Sequence, residues 1–300
     1  ADNHYIRSMK IIRKDTHTLD NVIEIFNPFI SSTDTDTLDY SDSSPVIFRV
    51  SFDYEGYHFV TETHNIKPKA LLFGVYLQKG DYYSLAKHKK TVQKIVSFGS
   101  FKFVNIEYRL NGKNELDAFI YLTPSKKQSF SGDLEISHSF EGLSGTAVSL
   151  TYKNKNLSRS SDLLLFKVSA GVELNLFDKS QTLLNTADFN IELNYYVNKF
   201  IVPFPLKKVS KNSNVKTKFS LAYNYEDRIQ QFTKHTTSFS AGYEWNETQT
   251  KKHFYNPFVI SLLQIPKKDP SFIAQLDSLP SLAPSFEENI IFGSNYTFLM

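Results

Sequence analysis

The chain of 300 residues contains no cysteine. Disulfide frameworks, thiolate metal centres and a lipoprotein-type cysteine are therefore excluded within it. No apolar run approaches the ~20 residues that a membrane-spanning helix needs, so helical spanning is excluded too. The mean hydropathy of -0.32 is no objection to a membrane barrel, because half of every barrel strand faces water. An excess of charge of one sign is also missing: 34 basic residues face 31 acidic ones, and the lysines are scattered. Nucleic-acid binding wants a concentrated basic surface, and no nucleic-acid partner is expected. GxSxG, HExxH and glycine-rich phosphate loops are all missing, which leaves esterase, metalloprotease and nucleotide chemistry unsupported. No signal peptide stands at Ala1, so the chain is expected to follow a processing step or to begin inside a longer protein.

What is present in quantity is alternation. From residue 128 onward, apolar and polar residues exchange places strand after strand. In the clearest segment Leu164, Phe166, Val168, Ala170, Val172, Leu174 and Leu176 alternate with Lys167, Ser169, Gly171, Glu173 and Asn175. Successive side chains of a strand point to opposite faces, so this segment has one apolar and one polar face. About thirteen residues in one register is long for a soluble strand and close to what a tilted strand needs to cross a bilayer.

The pattern recurs around residues 130–137, 146–153, 188–198, 215–226, 238–245 and 289–298. A less regular stretch, 254–265, carries Pro257, which a sheet tolerates only at an edge or an irregular position. About eight antiparallel strands result. A soluble β-sandwich also alternates, but two features weigh against it. The polar face carries charges and amides throughout, and the apolar faces end in aromatics (Tyr152, Tyr195, Tyr225, Trp245, Tyr296, Phe298), as interfacial girdles do.

The first 125 residues follow another rhythm. Tyr5 to Lys14 reads as a strand, 31–44 as a polar loop and Val46 to Val60 as one extended stretch. Pro68 opens a short helix over 69–75. Ser84 caps a second helix that runs to about Phe98, with Gly99 as its stop. Strands over 102–110 and 116–122 follow, joined by a turn at Asn111-Gly112. The reading is a small α+β domain over 1–125, with a long insertion at about 15–65, followed by a transmembrane β-barrel segment over 126–300.

Several residues now carry a family resemblance. The run from Ile66 to Ala70, the segment Gly80-Asp-Tyr-Tyr-Ser84, Thr91, and Phe98-Gly-Ser-Phe101-Lys-Phe-Val104 together resemble a POTRA domain. Leu122 to Ser129 resembles the junction into a first barrel strand, and Tyr152 to Leu157 the turn after the second. The order of these motifs is similar to that in the BamA/TamA outer-membrane assembly superfamily, the bacterial surface antigens. Ile291 to Phe298 draws the resemblance toward the TamA-like (TamL) branch of Bacteroidetes.

That resemblance implies a protein of the bacterial outer membrane whose N-terminal domain lies in the periplasm. It implies an assembly or translocation factor that handles unfolded outer-membrane or secreted client proteins, with a periplasm-spanning partner of the TamB type. It also implies a laterally opening seam at the first barrel strand, Ser129, Phe130, Ser131, Gly132, Asp133, Leu134, Glu135 and Ile136. Gly132 would loosen that strand, although an ordinary barrel glycine is the plainer reading. Leu164, Phe166, Val168, Val172 and Leu174 are expected to face lipid. The family builds sixteen strands, about twice the number found, and its lumen-loop motif and aromatic-terminated closing strand are missing. The chain is therefore expected to be a fragment of a longer protein or a truncated gene product.

A passive pore or transporter barrel is the alternative reading, and a soluble β-rich binding module a weaker one. No catalytic role and no cofactor is expected. Asp133 and Glu135 point to one face, where pore lining is the plainer reading than acid–base chemistry. His4, His17, His58, His64, His88, His138, His235 and His253 show no paired ligand spacing. His58 and His64 lie near Glu55 and Glu62, but a strand-like context favours surface positions over a metal site. Lys87, Lys89, Lys90, Lys207 and Lys208 read as solvated.

Overall fold

The computed structural model describes residues 5–13, 50–61, 66–110, 115–138, 143–175, 182–201, 215–248, 250–279, 281 and 283–300. The chain divides into two compact units, Ala1–Ser125 and Lys126–Met300.

In the first unit the strands are β1 (Tyr5–Arg13), β2 (Val50–Tyr54), β3 (Tyr57–Thr61), β4 (Phe101–Leu110) and β5 (Glu115–Pro124). They form one sheet in the order β2-β3-β1-β5-β4, in which β1 runs parallel to both of its neighbours. The extended stretch expected over 46–60 is instead a hairpin over its described part. Glu55 and Gly56 both adopt positive φ (50° and 79°), so the chain reverses in a two-residue turn between Tyr54 and Tyr57. The hairpin adds two strands to the sheet beside β1. The remainder of the insertion, the Asn111-Gly112 turn, His4, His17, His64, Glu62, Lys207 and Lys208 lie outside the described residues.

Helix α1 (Pro68–Leu72) starts with proline at its first turn, where the missing N–H costs nothing. Helix α2 (Leu85–Ser97) is capped by Ser84, whose hydroxyl accepts from the Lys87 amide at 3.4 Å, and Gly99 beyond its end sits at φ 72°. Thr91 is fully enclosed; its hydroxyl donates to the Lys87 carbonyl (2.9 Å) and accepts from the Tyr76 amide (3.1 Å). Alternation on β5 buries Leu116, Ala118, Ile120 and Leu122, and the last three pack with Leu71, Leu77 and Ile95 in the unit's core.

The second unit is one antiparallel sheet of eight strands. These are β6 (Gln128–His138), β7 (Leu143–Asn154), β8 (Leu163–Asn175), β9 (Leu184–Val197), β10 (Lys216–Arg228), β11 (Phe232–Asn246), β12 (Lys252–Lys268) and β13 (Asn289–Leu299). Each strand pairs with its chain neighbours, which leaves β6 and β13 as the two edges and the sheet unclosed. Helix α3 (Pro270–Ser278) and a short 3-10 turn (Ala283–Phe286) occupy the connection from β12 to β13. The irregular stretch around Pro257 is a β-bulge: Asn256 and Pro257 together stand opposite Gly242, between the pairs Ala241–Phe258 and Tyr243–Tyr255.

Candidate functional site

Strand register determines what each face of the eight-stranded sheet presents. Following the paired positions from β6 to β13 gives one row of Phe130, Tyr152, Phe166, Leu193, Leu221, Phe239, Ile260 and Phe292. Every member is apolar or aromatic. A second row on the same face runs Leu134, Val148, Ala170, Phe189 and Tyr225 from β6 to β10. One residue along, the opposite face gives Ser131, Thr151, Lys167, Glu192, Ala222, Ser238 and Ser261.

Leu164, Phe166, Val168, Val172 and Leu174 all lie on the apolar face. Phe166 is 38% exposed and Val172 40%, so no second sheet covers them among the described residues. A soluble sandwich would bury such a face against a partner layer.

Hydrogen bonds organise the polar face. Asn224 donates to Asn190, Asn190 to Asp188 (3.1 Å), Asn194 to Glu192 (2.6 Å) and Ser220 to Asn194 (2.5 Å). Lys234 pairs with Glu226, and Lys167 stands directly opposite Glu192. These groups hold one another in place across strands, which suits a wet interior surface.

Strand β6 carries all eight of the seam residues expected from sequence. Each of its residues is exposed, Phe130 by 81%, Ile136 by 75% and Leu134 by 68%. Only β7 pairs with it among the described residues, so its other edge presents unpaired N–H and C=O groups. Asp133 and Glu135 do share a face, and Ser149 donates to Asp133 at 3.4 Å. The β6–β7 ladder runs unbroken through Gly132, opposite Leu150. A Cβ at Gly132 would meet Leu150 at 3.4 Å, an ordinary contact, so crowding does not require glycine there.

Two features of the sheet's ends escaped the sequence reading. At the Gln128 end, the His253 ring stacks on Trp245 (4.9 Å, 5° between planes) and meets the Tyr296 hydroxyl at 2.7 Å and Glu247 at 3.2 Å. At the other end α3 folds onto the polar face. Phe232 shares that face with Arg228 and Thr186, yet it is buried with Ile265, Phe272 and Leu276, and Phe286 packs against them. Asp269-Pro270 is a helix-start signal that marks α3 in the sequence.

His58 contacts Asp53 at 2.7 Å, and no cluster of three acidic or imidazole groups forms among the described residues. In the first unit Tyr108 touches His88 (3.2 Å) and packs edge-on against Tyr83 (5.0 Å). Burial, and then the neighbouring Tyr83, push its phenol up to about 12.

Neither a protein-family model nor a curated protein matches the chain by sequence. Solved structures do match by shape. CdiB from Acinetobacter baumannii is 12% identical, with 81% of this chain and 44% of that one covered at a TM-score of 0.50. BamA from Haemophilus ducreyi lacking POTRA domains 1–3 is 12% identical, with 98% and 58% covered at 0.47. The chain thus spans roughly half the length of these structures. Both are outer-membrane barrels, and the likeness to CdiB shows a shared fold: the eight-stranded sheet corresponds to part of such a barrel.

Proposed function

We propose that the chain is part of an outer-membrane protein assembly or translocation factor of the BamA/TamA superfamily, in the TamA-like branch of Bacteroidetes. The observation that carries this reading is β6, a long edge strand with one partner among the described residues, set in a sheet that one wholly apolar row crosses from edge to edge. In hydrocarbon, unpaired backbone groups cost several kcal/mol each, so an opening edge templates an incoming strand. Its work is done by backbone, and the protein is not an enzyme. The clients are unfolded outer-membrane or secreted proteins, with a TamB-type protein as periplasmic partner.

The first unit serves as a POTRA-like periplasmic domain. Its β1, α1, α2, β4, β5 order with β5 central to the β1-β5-β4 set supports this, and the β2–β3 hairpin is an addition. Leu164, Phe166, Val168, Val172 and Leu174 face lipid. A passive pore is the weaker reading, because α3 covers part of the polar face at one end and a simple channel has no use for the N-terminal unit.

The test is in-cell photocrosslinking. A photoreactive residue at Leu134 on β6 is expected to capture β-rich outer-membrane proteins during their synthesis, while one at Val168 on the interior strand β8 captures none. Equal capture at both positions, or none at either, overturns the assembly reading.

A further inference from the structure

The turn from β7 to β8 encloses a carboxylate that forms no ion pair among the described residues. Asp162 is 1% exposed. Its Oδ2 accepts from the Ser158 hydroxyl and from the Tyr195 hydroxyl, the latter at 2.9 Å. Its Oδ1 is buried with no partner, and so is the hydroxyl of the adjacent Ser161, also 1% exposed. Among the described residues no lysine, arginine or histidine forms an ion pair with Asp162.

The turn around these atoms is tied down. Asn156 Oδ1 accepts from the Ser161 amide (3.0 Å), Asn154 Oδ1 from the Asn156 amide (3.0 Å), and Asn198 donates to the Ser161 carbonyl (2.6 Å). Arg159 and Ser161 both sit at positive φ, 63° and 61°, a conformation the surrounding bonds must enforce. A buried ionised carboxylate is tolerated when it is paired or binds a metal, and two orphaned oxygens on neighbouring residues call for a ligand.

We propose that this turn binds a hard divalent cation of the Ca2+ class, with Asp162 Oδ1 as its anionic ligand and the Ser161 hydroxyl as a second oxygen donor. The donor chemistry is all oxygen, with neither thiolate nor imidazole, which excludes the softer metals. Ca2+ accepts irregular oxygen sets, whereas Mg2+ demands near-octahedral geometry. The bound ion would tie β7–β8 to β9 through Tyr195 and Asn198. The same turn reaches the chain entering β6, where the Lys155 amide donates to the Lys127 carbonyl at 2.9 Å. The inference does not depend on the assembly reading.

Tb3+ replaces Ca2+ with the same ligand preference, and Tyr195 stands close enough to sensitise its emission. The full chain in detergent, excited at its tyrosines, is expected to give saturable Tb3+ luminescence that Ca2+ displaces with Kd on the order of 10⁻⁴–10⁻³ M. Asp162→Asn is expected to weaken Ca2+ by at least about tenfold, or about 1.4 kcal/mol. Ser161→Ala keeps the carboxylate and the backbone ties and is expected to weaken it by less. Emission that Ca2+ fails to displace, emission undiminished in Asp162→Asn, or calorimetric Ca2+ affinity in Ser161→Ala equal to wild type each overturns the site. Should Asp162→Asn fail to fold, the Ser161→Ala titration decides.

Discussion

Phe130 on β6 and Phe292 on β13 are the two ends of a single cross-strand row that takes one residue from each of the eight strands. That all of them are apolar or aromatic is a property of register, since a slip of one residue would bring Ser131, Thr151, Lys167, Glu192 or Ser238 into the row at β6, β7, β8, β9 or β11. The consequence is directional. Val168, between Leu150 and Ile191, sits on the apolar face, and Ser169, between Ser149 and Asn190, sits on the polar one. Val168→Arg is expected to cost about 2–4 kcal/mol of folding into bilayers, as a cation at the midplane of a barrel does. Ser169→Arg is expected to be tolerated. Urea titration of lipid-folded protein separates the two, and equal losses would mean that the faces are misassigned.

The bulge at Pro257 makes a pair of glycines informative. A Cβ at Gly242 would run into the Asn256 side chain and stand 3.0 Å from the Tyr255 carbonyl, whereas a Cβ at Gly293 would meet nothing within 4 Å. Asn256 in turn donates to Asn295 on β13 at 2.7 Å, so displacing it loosens the edge strand. Gly242→Ala is expected to destabilise by about 1–3 kcal/mol, the range for forced overpacking. Gly293→Ala is expected to lie within about 0.5 kcal/mol of wild type. A double mutant Gly242→Ala with Asn256→Ala recovers part of the loss if the clash is the cause.

Much of this sheet was legible in the sequence because a strand's period of two writes its facing directly into residue order. The alternation from Leu164 to Asn175 gives β8 its face, and Pro257 marks the bulge because it has no amide to give the ladder. What escaped notice was local punctuation. Glu55-Gly56 breaks the stretch over 46–60 into a hairpin, yet its alternating flanks read as one strand. Helix α3 has a proline start but no side-chain cap, and it spans only nine residues, too few for helical period to stand out. The buried Asp162 could not be found at all, since its enclosure depends on Tyr195 and Asn198, more than thirty residues away.

Tyr108 contributes to the alkaline limit of the N-terminal unit. Its phenol is pushed up to about 12 in the folded chain, by burial first and by Tyr83 second, against about 10 in an unfolded one. Between those values the unfolded state has released a proton that the folded state retains, so unfolding gains from rising pH. The contribution is fully present below pH ~10 and is lost progressively toward pH ~12. Tyr108→Phe is expected to flatten that decline, leaving the slope from Tyr54, Tyr57, Tyr76 and Tyr121, which burial also raises. Circular-dichroism melts of the full chain between pH 9 and about 12 measure it, and an unchanged slope would contradict the burial of this phenol.

The α3 cap rests on three aromatic rings. Phe272 lies 5.2 Å from Phe232 and 5.0 Å from Phe286, and Phe232 lies 5.1 Å from Phe286, so each ring touches the other two. Phe232 belongs to β11, while the other two belong to the connection between β12 and β13. Removing Phe272 therefore detaches the helix without touching any strand ladder. Loss of a buried phenyl costs about 3–5 kcal/mol in a closed core, but a helix anchored by one small cluster opens locally before the sheet does. Phe272→Ala is expected to expose residues 270–278 to protease while β10, β11 and β12 stay intact. Ile273→Ala, one residue along and 44% exposed, is expected to leave the digestion pattern unchanged. If both variants are cut at the same rate as wild type, the aromatic cluster is not what holds α3 against the polar face.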